Sequence, residues 1–481
     1  MTNSFRDPSG RLFQFNNRIL RLINKSGEAD LSAALASRTF KKFVGTGQLV
    51  RSELLDATSV EHLLQERFAD VATDMDEAVA FVEHERIAFP SFPYEWPPEM
   101  LHAAGELTLD LAENLLAEGL GLKDATPYNV LFRGTNPVFV DLLSFERRDA
   151  GDPTWLAYAQ FVRTFLLPLL VNKTFALPLR QLLTTNRDGL QPEDVNRMCG
   201  AWQKLKPPFL TLVALPSLLS ARHQRDATDI YQKRRMADAS KARFILEQQF
   251  KSLRRSLDKV TNKHERRRTP WSNYMTTERH FSERYLEEKR AFVAEALGAQ
   301  RPRRVLDVGC NTGYFSLVTA EHGAEVVAVD SDEAVVGEVW KQARAAGADV
   351  LPLVVDITRP SAALGWRNRE SPSFLERARG SFDAVLMLAV SHHMLVTERI
   401  PLAEIIELAA ELTTDALLVE FVPPDDPMFR TLARGRDQLF EYLTNDFFES
   451  ACRKRFDIAR SHQLADSRRT LYLLRKKESA R

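Results

Sequence analysis

Five short apolar runs punctuate the second half of the chain: VLDVG (305–309), EVVAVD (325–330), VLPLVVD (350–356), FDAVLML (382–388) and ALLVEFV (416–422). They are nearly continuous in apolar residues rather than alternating, the pattern of strands buried on both faces. Helical segments fall between them, among them SDEAVVGEVWKQARAAG and PLAEIIELAAELTTD. Such alternation of strand and helix leaves few solutions: the sheet is parallel, doubly wound, and covered by helices on both sides. The last stretch, FDIARSHQLADSRRTLYLLRKK, holds two further strand patterns joined by a short polar loop. It predicts a terminal hairpin and therefore one reversed strand. The fold class expected for residues 270–481 is α/β.

The first half reads differently. Residues 151–250 pattern mostly as helices, whereas 1–150 mix short strand-like runs, such as AVAFVEHERIAF (78–89), with helices. An α+β, partly helical domain is expected over 1–250. Between the halves lies KSLRRSLDKVTNKHERRRTP (251–270), basic, poor in large apolar residues and ending in proline. It reads as a solvated helix end and a linker, 251–269. No aromatic residue is interleaved with its charges, and stacking on bases requires them. The chain as a whole balances 65 basic against 65 acidic residues, so no global field favours nucleic acid or a membrane surface.

The N-terminal MTNSFRDPSG lacks the apolar core of a signal peptide. The longest apolar stretches, TFLLPLLV (164–171) and FLTLVALPSLL (209–219), are too short to span a bilayer and each carries a proline. Buried helical segments are expected there. Cys199, Cys310 and Cys452 lie too far apart in sequence for a disulfide framework or a metal site. A cytoplasmic, reduced setting is the expectation.

The stretch VLDVGCNTGYF (305–315) joins a strand to a helix through one carboxylate and two glycines. Its spacing, Asp307-x-Gly309-x-x-x-Gly313, departs from the G-x-G-x-x-G of dinucleotide turns. A carboxylate two residues before the first glycine repels a pyrophosphate and suits a ligand with positive charge, such as an ammonium or a sulfonium. Asp330 ends the second run, 21 residues beyond Gly309. A carboxylate there accepts two hydrogen bonds from a ribose diol. Asp356 closes the third run, where it can accept from an adenine amino group while Ile357 stacks on the ring.

On these residues, 270–481 resembles the class I S-adenosylmethionine-dependent methyltransferases, a seven-stranded Rossmann-like family. Glycine motif, ribose acid, adenine acid and terminal hairpin occur in the family's order. The resemblance implies S-adenosylmethionine as cofactor. It implies that Asp307, Gly309, Cys310, Asn311 and Gly313 line its methionine and ribose side, with the Cys310 backbone mattering more than the thiol. It places Asp330 and Ser331 at the ribose hydroxyls, Asp356 and Ile357 at the adenine, and Leu388 and Ala389 at the methionine end. The segment TPWSNYMTTERHF (269–281) resembles the lid helix that precedes the first strand, with Tyr274 as a cofactor contact.

Methyl transfer from a sulfonium is an in-line displacement, so nucleophile, carbon and sulfur must be collinear and desolvated. Oxygen and nitrogen nucleophiles often need a base. His392 and His393 lie just beyond the fourth run, at the carboxyl edge where ligands sit in open α/β sheets. Either is a candidate base, or else positions a loop. Glu420, ending the fifth run, is a candidate for binding a substrate hydroxyl or amine, or a neighbouring backbone N–H. No NPPY-type signature follows the fourth run, and no metal-ligand spacing of a catechol-type enzyme is present. The acceptor expected is an oxygen or nitrogen of a small molecule or glycoconjugate.

A second motif, GLGLKDATPYNVLFRGTNPVFVDLLSFE (119–146), follows a segment whose positions 101, 104, 108, 111 and 115, apolar but for Thr108, keep helical spacing. Asp124, Asn129 and Asp141 resemble the catalytic loop and metal-binding strand of protein-kinase-like phosphotransferases, especially small-molecule kinases of the aminoglycoside type. In an active kinase the resemblance makes Asp124 the base and Asn129 and Asp141 magnesium ligands. The departures are several: Leu122 replaces the usual histidine, Leu142-Leu143 follows Asp141, and residues 1–80 hold no glycine-rich phosphate loop. A degenerate scaffold repurposed for substrate binding or assembly is expected. FPSFPYEWPPEM (89–100) reads as an extended segment at the hinge position, its aromatics packed between lobes. FPYEW, LKDATPYNV, VFVDLLSFE and VEFVPPDDPMF give the whole chain a resemblance to bacterial two-part methyltransferases. The alternatives are a bifunctional phosphotransferase and methyltransferase, or a non-catalytic cofactor-binding assembly protein.

Overall fold

The computed structural model describes residues 6–66, 78–223, 235–261 and 282–478. The chain divides into two compact units. One comprises Met1–Glu265 with Ala363–Ser371, the other Arg266–Ala362 with Pro372–Arg481.

In the first unit, β1 (Gly10–Phe15), β2 (Arg18–Asn24), β3 (Ser52–Leu54) and β4 (Ala78–His84) form an antiparallel sheet in the order β1-β2-β4-β3. Asn16 and Asn17 turn the first hairpin, both at positive φ (45° and 65°), where asparagine is among the tolerated residues. Past this sheet, Tyr94 and Trp96 of the FPYEW stretch are buried, and the Trp96 indole donates to Ser91 Oγ at 2.9 Å. The helix Pro98–Leu116 follows directly, with prolines where its first N–H groups need no partner. Next come β5 (Leu120–Leu122), the hairpin of β6 (Val130–Arg133) with β7 (Asn136–Phe139), and β8 (Phe145–Arg147), which pairs with β5.

The remainder of this unit is helical. Both long apolar runs lie in helices, and each widens into a π turn, Val162–Leu166 and Leu210–Ala214, just before Pro168 and Pro216. A proline cannot donate to the preceding turn, and the wider turn accommodates it. The helix Ala239–Val260 buries Leu246, Phe250, Leu253 and Leu257 on one stripe. It crosses the helix Pro98–Leu116 at Gly105, where a Cβ would sit 3.1 Å from Leu257. Residues 251–260, read above as the start of a linker, are its last turns. The rest of the linker and the segment 269–281 with Tyr274 lie almost wholly outside the described residues.

The second unit is built around β9 (Arg304–Val308), β10 (Glu325–Asp330), β11 (Val350–Val354), β12 (Phe382–Met387), β13 (Thr413–Phe421), β14 (Phe456–Gln463) and β15 (Thr470–Lys476). Their order is β11-β10-β9-β12-β13-β15-β14. The first five run parallel, and the reversed strand is β15, wedged between β13 and β14. All five apolar runs and the hairpin are thus strands of one seven-stranded α/β sheet. The chain order reverses between β9 and β12, which opens a crevice at the carboxyl ends of the strands. Cys199, Cys310 and Cys452 are free and buried. Among the described residues no helix is long and apolar enough to cross a membrane.

Candidate cofactor site and its surroundings

The turn after β9 answers the question of phosphate. A phosphate cradle needs free backbone N–H groups. Here Gly309 and Cys310 both donate to the Val329 carbonyl, at 2.9 and 3.1 Å, and Gly313 donates to the Cys310 carbonyl at 2.9 Å. The Asn311 N–H donates to the Asp330 carboxylate at 3.1 Å, and the Thr312 N–H to Asn311 Oδ1 at 2.6 Å. Every N–H from 309 to 313 is engaged within the protein, so the turn offers carboxylates and no free backbone N–H to cradle a phosphate. Glycine is required at two points. Gly309 (φ 71°) and Gly313 (φ 80°) lie in the left-handed region, and a Cβ would come within 2.9 Å of Val390 and 2.8 Å of Val339, respectively.

One pocket lies at this edge. Asp307, Gly309, Cys310, Asn311, Asp330, Ser331, Asp356, Ile357, Leu388, Ala389 and His393 all line it. Gly313 shapes the turn from behind rather than lining the pocket. Ala389 sits at φ 54°, a strained conformation for a residue with a side chain and a common one beside ligands.

The three carboxylates differ. Burial pushes the Asp307 carboxyl up to about 6, against the pull of the Ser316 hydroxyl and Lys289. Asp330 is likewise raised by burial, with the N–H groups of Asp332 and Asn311 opposing. Those two N–H groups occupy one lone pair on each oxygen, leaving others for a diol. Burial also pushes Asp356 up, but hydrogen bonds from Thr358 and Arg359 outweigh it and hold the carboxyl below its usual range. Arg359, mostly exposed, lies 3.2 Å from Asp356 Oδ2, so an adenine amino group would compete with it there.

Lys289 also lines this pocket and carries no motif that would announce it. It sits on the helix Glu283–Gln300, in register with Tyr285, Phe292, Val293 and Ala296 on the buried stripe. A lysine inside an apolar stripe is the one signal that pointed to it. Its ammonium lies 2.6 Å from Glu420 Oε2 and 5.0 Å from the centroid of the Phe315 ring. Glu420 is wholly buried and also accepts from the Tyr285 hydroxyl at 2.6 Å and from Arg469 at 3.3 Å. Arg469 in turn holds Asp426 through two nitrogens, at 2.8 and 3.0 Å. Burial pushes the Glu420 carboxyl up, yet Lys289 and Arg469 outweigh it and keep it below its usual range. Glu420 does not line the pocket; it is the hub of a buried network of two cations and two anions.

The two histidines separate on the helix Ser391–Val396. His393 is half-buried and lines the pocket. Burial, then the charge of Arg469, pushes its pKa down to about 4. His392 is 1% exposed and does not line the pocket. Burial drives its pKa well below the usual histidine range, and both ring nitrogens lack a hydrogen-bond partner among the described residues.

In the first unit, Asp124, Asn129 and Asp141 are drawn into one cluster. Asp141 Oδ1 accepts from Arg21 Nη1 at 2.8 Å, and its other oxygen from the Ser144 hydroxyl. Asn129 Nδ2 donates to Ser144 Oγ at 2.9 Å, and Gln160 donates to Asp124 at 3.3 Å. Burial, then the Asp141 charge, pushes the Asp124 carboxyl up.

A family model described as a methyltransferase domain matches residues 279–463. Nodulation protein NoeA of Rhizobium meliloti (strain 1021) is 31% identical over 481 residues, covering 99% of this chain and 96% of that protein. The O-antigen chain terminator bifunctional methyltransferase/kinase WbdD of Escherichia coli is 29% identical over 148 residues, 30% of this chain and 18% of that one. Among solved structures, N-methyltransferase NodS from Bradyrhizobium japonicum WM9 aligns with a TM-score of 0.31 at 14% identity, covering 41% of this chain and 99% of that one. With a sheet of this order and a turn built for a cationic nucleoside, the chain belongs to the family of nodulation protein NoeA, and its second unit is an S-adenosylmethionine-dependent methyltransferase domain.

Proposed function

We propose that the protein methylates an oxygen or nitrogen of a small molecule or glycoconjugate, with His393 as the general base, in a cytoplasmic, reduced setting. The observation that carries this reading is the place of His393, on the pocket wall with Leu388 and Ala389. Its imidazole stays neutral from about pH 4 upward, so a lone pair is available at neutral pH. A proton on the attacking atom becomes strongly acidic as the new bond forms, so a weak base suffices.

When bound, the cofactor supplies a methyl group activated on a sulfonium. Asp307 faces its positive charge, and Asp330 with Ser331 takes the ribose hydroxyls. Asp356 and Ile357 take the adenine, and the Lys289 ammonium, with donors beyond the one on Glu420, takes the methionine carboxylate. Leu388, Val390 and Met394 keep water from the reacting atoms. Incubating cell extract with methyl-labelled cofactor and the protein, followed by mass spectrometry, identifies the acceptor. Absence of any label transfer across extracts and glycoconjugate panels, despite tight cofactor binding, would favour a non-catalytic role.

Two binding measurements test the cofactor assignments. Asp330→Ala weakens cofactor binding by about 1.5–3 kcal/mol, the strength of charge-assisted hydrogen bonds. Unchanged affinity in titration calorimetry removes Asp330 from the ribose. The second is pH dependence. The Asp307 carboxyl is raised to about 6 in the folded protein, so it holds a proton between about pH 4 and 6 that the unfolded chain has released. That favours the folded cofactor-free state at low pH, and the advantage is lost as pH rises through 6. A cationic ligand prefers the ionised carboxylate, so affinity rises about tenfold from pH 5 to 7 and then levels off. Asp307→Asn flattens this rise; a rise that persists in the variant has another source.

A further inference from the structure

We infer that the Asp124, Asn129 and Asp141 cluster of the first unit is a cation site with its cation built in: the Arg21 guanidinium stands where a divalent metal ion would bind. The donor set is two carboxylates, an amide and the Ser144 hydroxyl, the hard oxygen chemistry that magnesium takes. The two carboxylates feel each other, since the Asp141 charge adds to burial in raising Asp124. Such a pair needs a neighbouring positive charge. Arg21 provides it. It is 6% exposed and sits 2.8 Å from Asp141 Oδ1.

The residues do not fit a metal as they stand, although the kinase-like resemblance implies one at Asn129 and Asp141. One Asp141 oxygen is engaged by Arg21 and the other by Ser144. Asn129 turns its NH2 group, not its oxygen, toward Ser144. A magnesium ion demands near-octahedral oxygen ligands at about 2.0–2.1 Å, and a dication beside a buried guanidinium is repelled. Arg21 cannot easily leave. Its strand, β2, is interior to the four-stranded sheet, with Arg21 paired to Leu12 of β1 and Val82 of β4. Its charge is also felt by the buried His84 on β4, whose pKa burial, then Arg21, pushes down to about 3. That ring is therefore neutral, and the second cation acting on the cluster is Lys123, beside Asp124.

This cluster accordingly holds its own guanidinium in place of a divalent ion, and a phosphotransferase dependent on magnesium is not what it builds. Manganese titration followed by electron paramagnetic resonance tests this on the full chain. Wild type and Arg21→Lys, which keeps the positive charge, show no manganese binding that Asp141→Asn removes; any ion held by His102, Glu106 and Asp258 is common to all variants. Arg21→Met creates one site with a dissociation constant on the order of 0.1–1 mM, the range of weak oxygen-ligand sites. The site disappears in the double variant Arg21→Met with Asp141→Asn. Binding by the wild type that Asp141→Asn abolishes overturns the inference, as does a folded Arg21→Met protein with no site. Should Arg21→Met fail to fold, the wild type compared with Asp141→Asn still decides: Asp141-dependent binding overturns, its absence supports.

Discussion

Replacing His393 by alanine lowers kcat for methyl transfer by about 10²–10⁴-fold, the usual contribution of a positioned base, and leaves cofactor affinity essentially unchanged. The split follows from the position of the ring, which lies on the pocket wall beyond β12, on a short helix that carries none of the three carboxylates. Added imidazole restores part of the rate, because only a proton acceptor is missing. With cofactor saturating, the wild-type kcat declines only as pH approaches about 4, where His393 takes up its proton. His392→Ala behaves differently. Its ring is fully buried and off the pocket, so the change leaves a cavity and lowers stability more than turnover. A His393→Ala enzyme with wild-type kcat would remove the base from the proposal and leave the methyltransferase domain standing.

Glu420→Ala destabilises the second unit by about 3–5 kcal/mol, the cost of breaking a buried ion pair by deleting one partner. Lys289, at the pocket wall, and the buried Arg469 each remain without one of their anions, and the Tyr285 hydroxyl loses its acceptor. The loss is read as a lowered urea midpoint with unchanged slope. Glu420→Gln keeps the volume and part of the hydrogen bonding, and falls between wild type and alanine. The sign of the pH effect follows from the depressed carboxyl: its contribution is complete above the ordinary glutamate range and fades as pH drops below it. Cofactor affinity falls as well, since Lys289 loses the partner that aims it. A loss below about 1 kcal/mol, the worth of an exposed pair, would mean the network is relaxed or hydrated.

The parallel sheet was legible because strands buried on both faces leave continuous Val and Leu runs that few other structures explain. So was the place of the turn and the three carboxylates, since Asp307 lies one residue short of the end of β9, Asp330 ends β10 and Asp356 follows β11. The place of β15 was not: a hairpin pattern predicts pairing with β14 but says nothing of insertion beside β13. Choosing between His392 and His393 was equally out of reach. Adjacent residues on a helix point about 100° apart, and the register of a six-residue helix is set by its packing. Lys289, Glu420 and Arg469 meet from a helix, a strand end and a loop spread along the unit. Arg21 and Asp141 stand 120 positions apart. Spacing rules describe neighbours along the chain, and these ion pairs form only when distant strands and loops come together.

The bend after β9, with each of its amides already held, has a consequence for ligand encounter. Nothing in it must be rearranged when a nucleoside arrives. The loss of freedom that ordered this backbone took place when the chain folded, so the guest meets a finished template and discrimination falls to the acidic side chains around it.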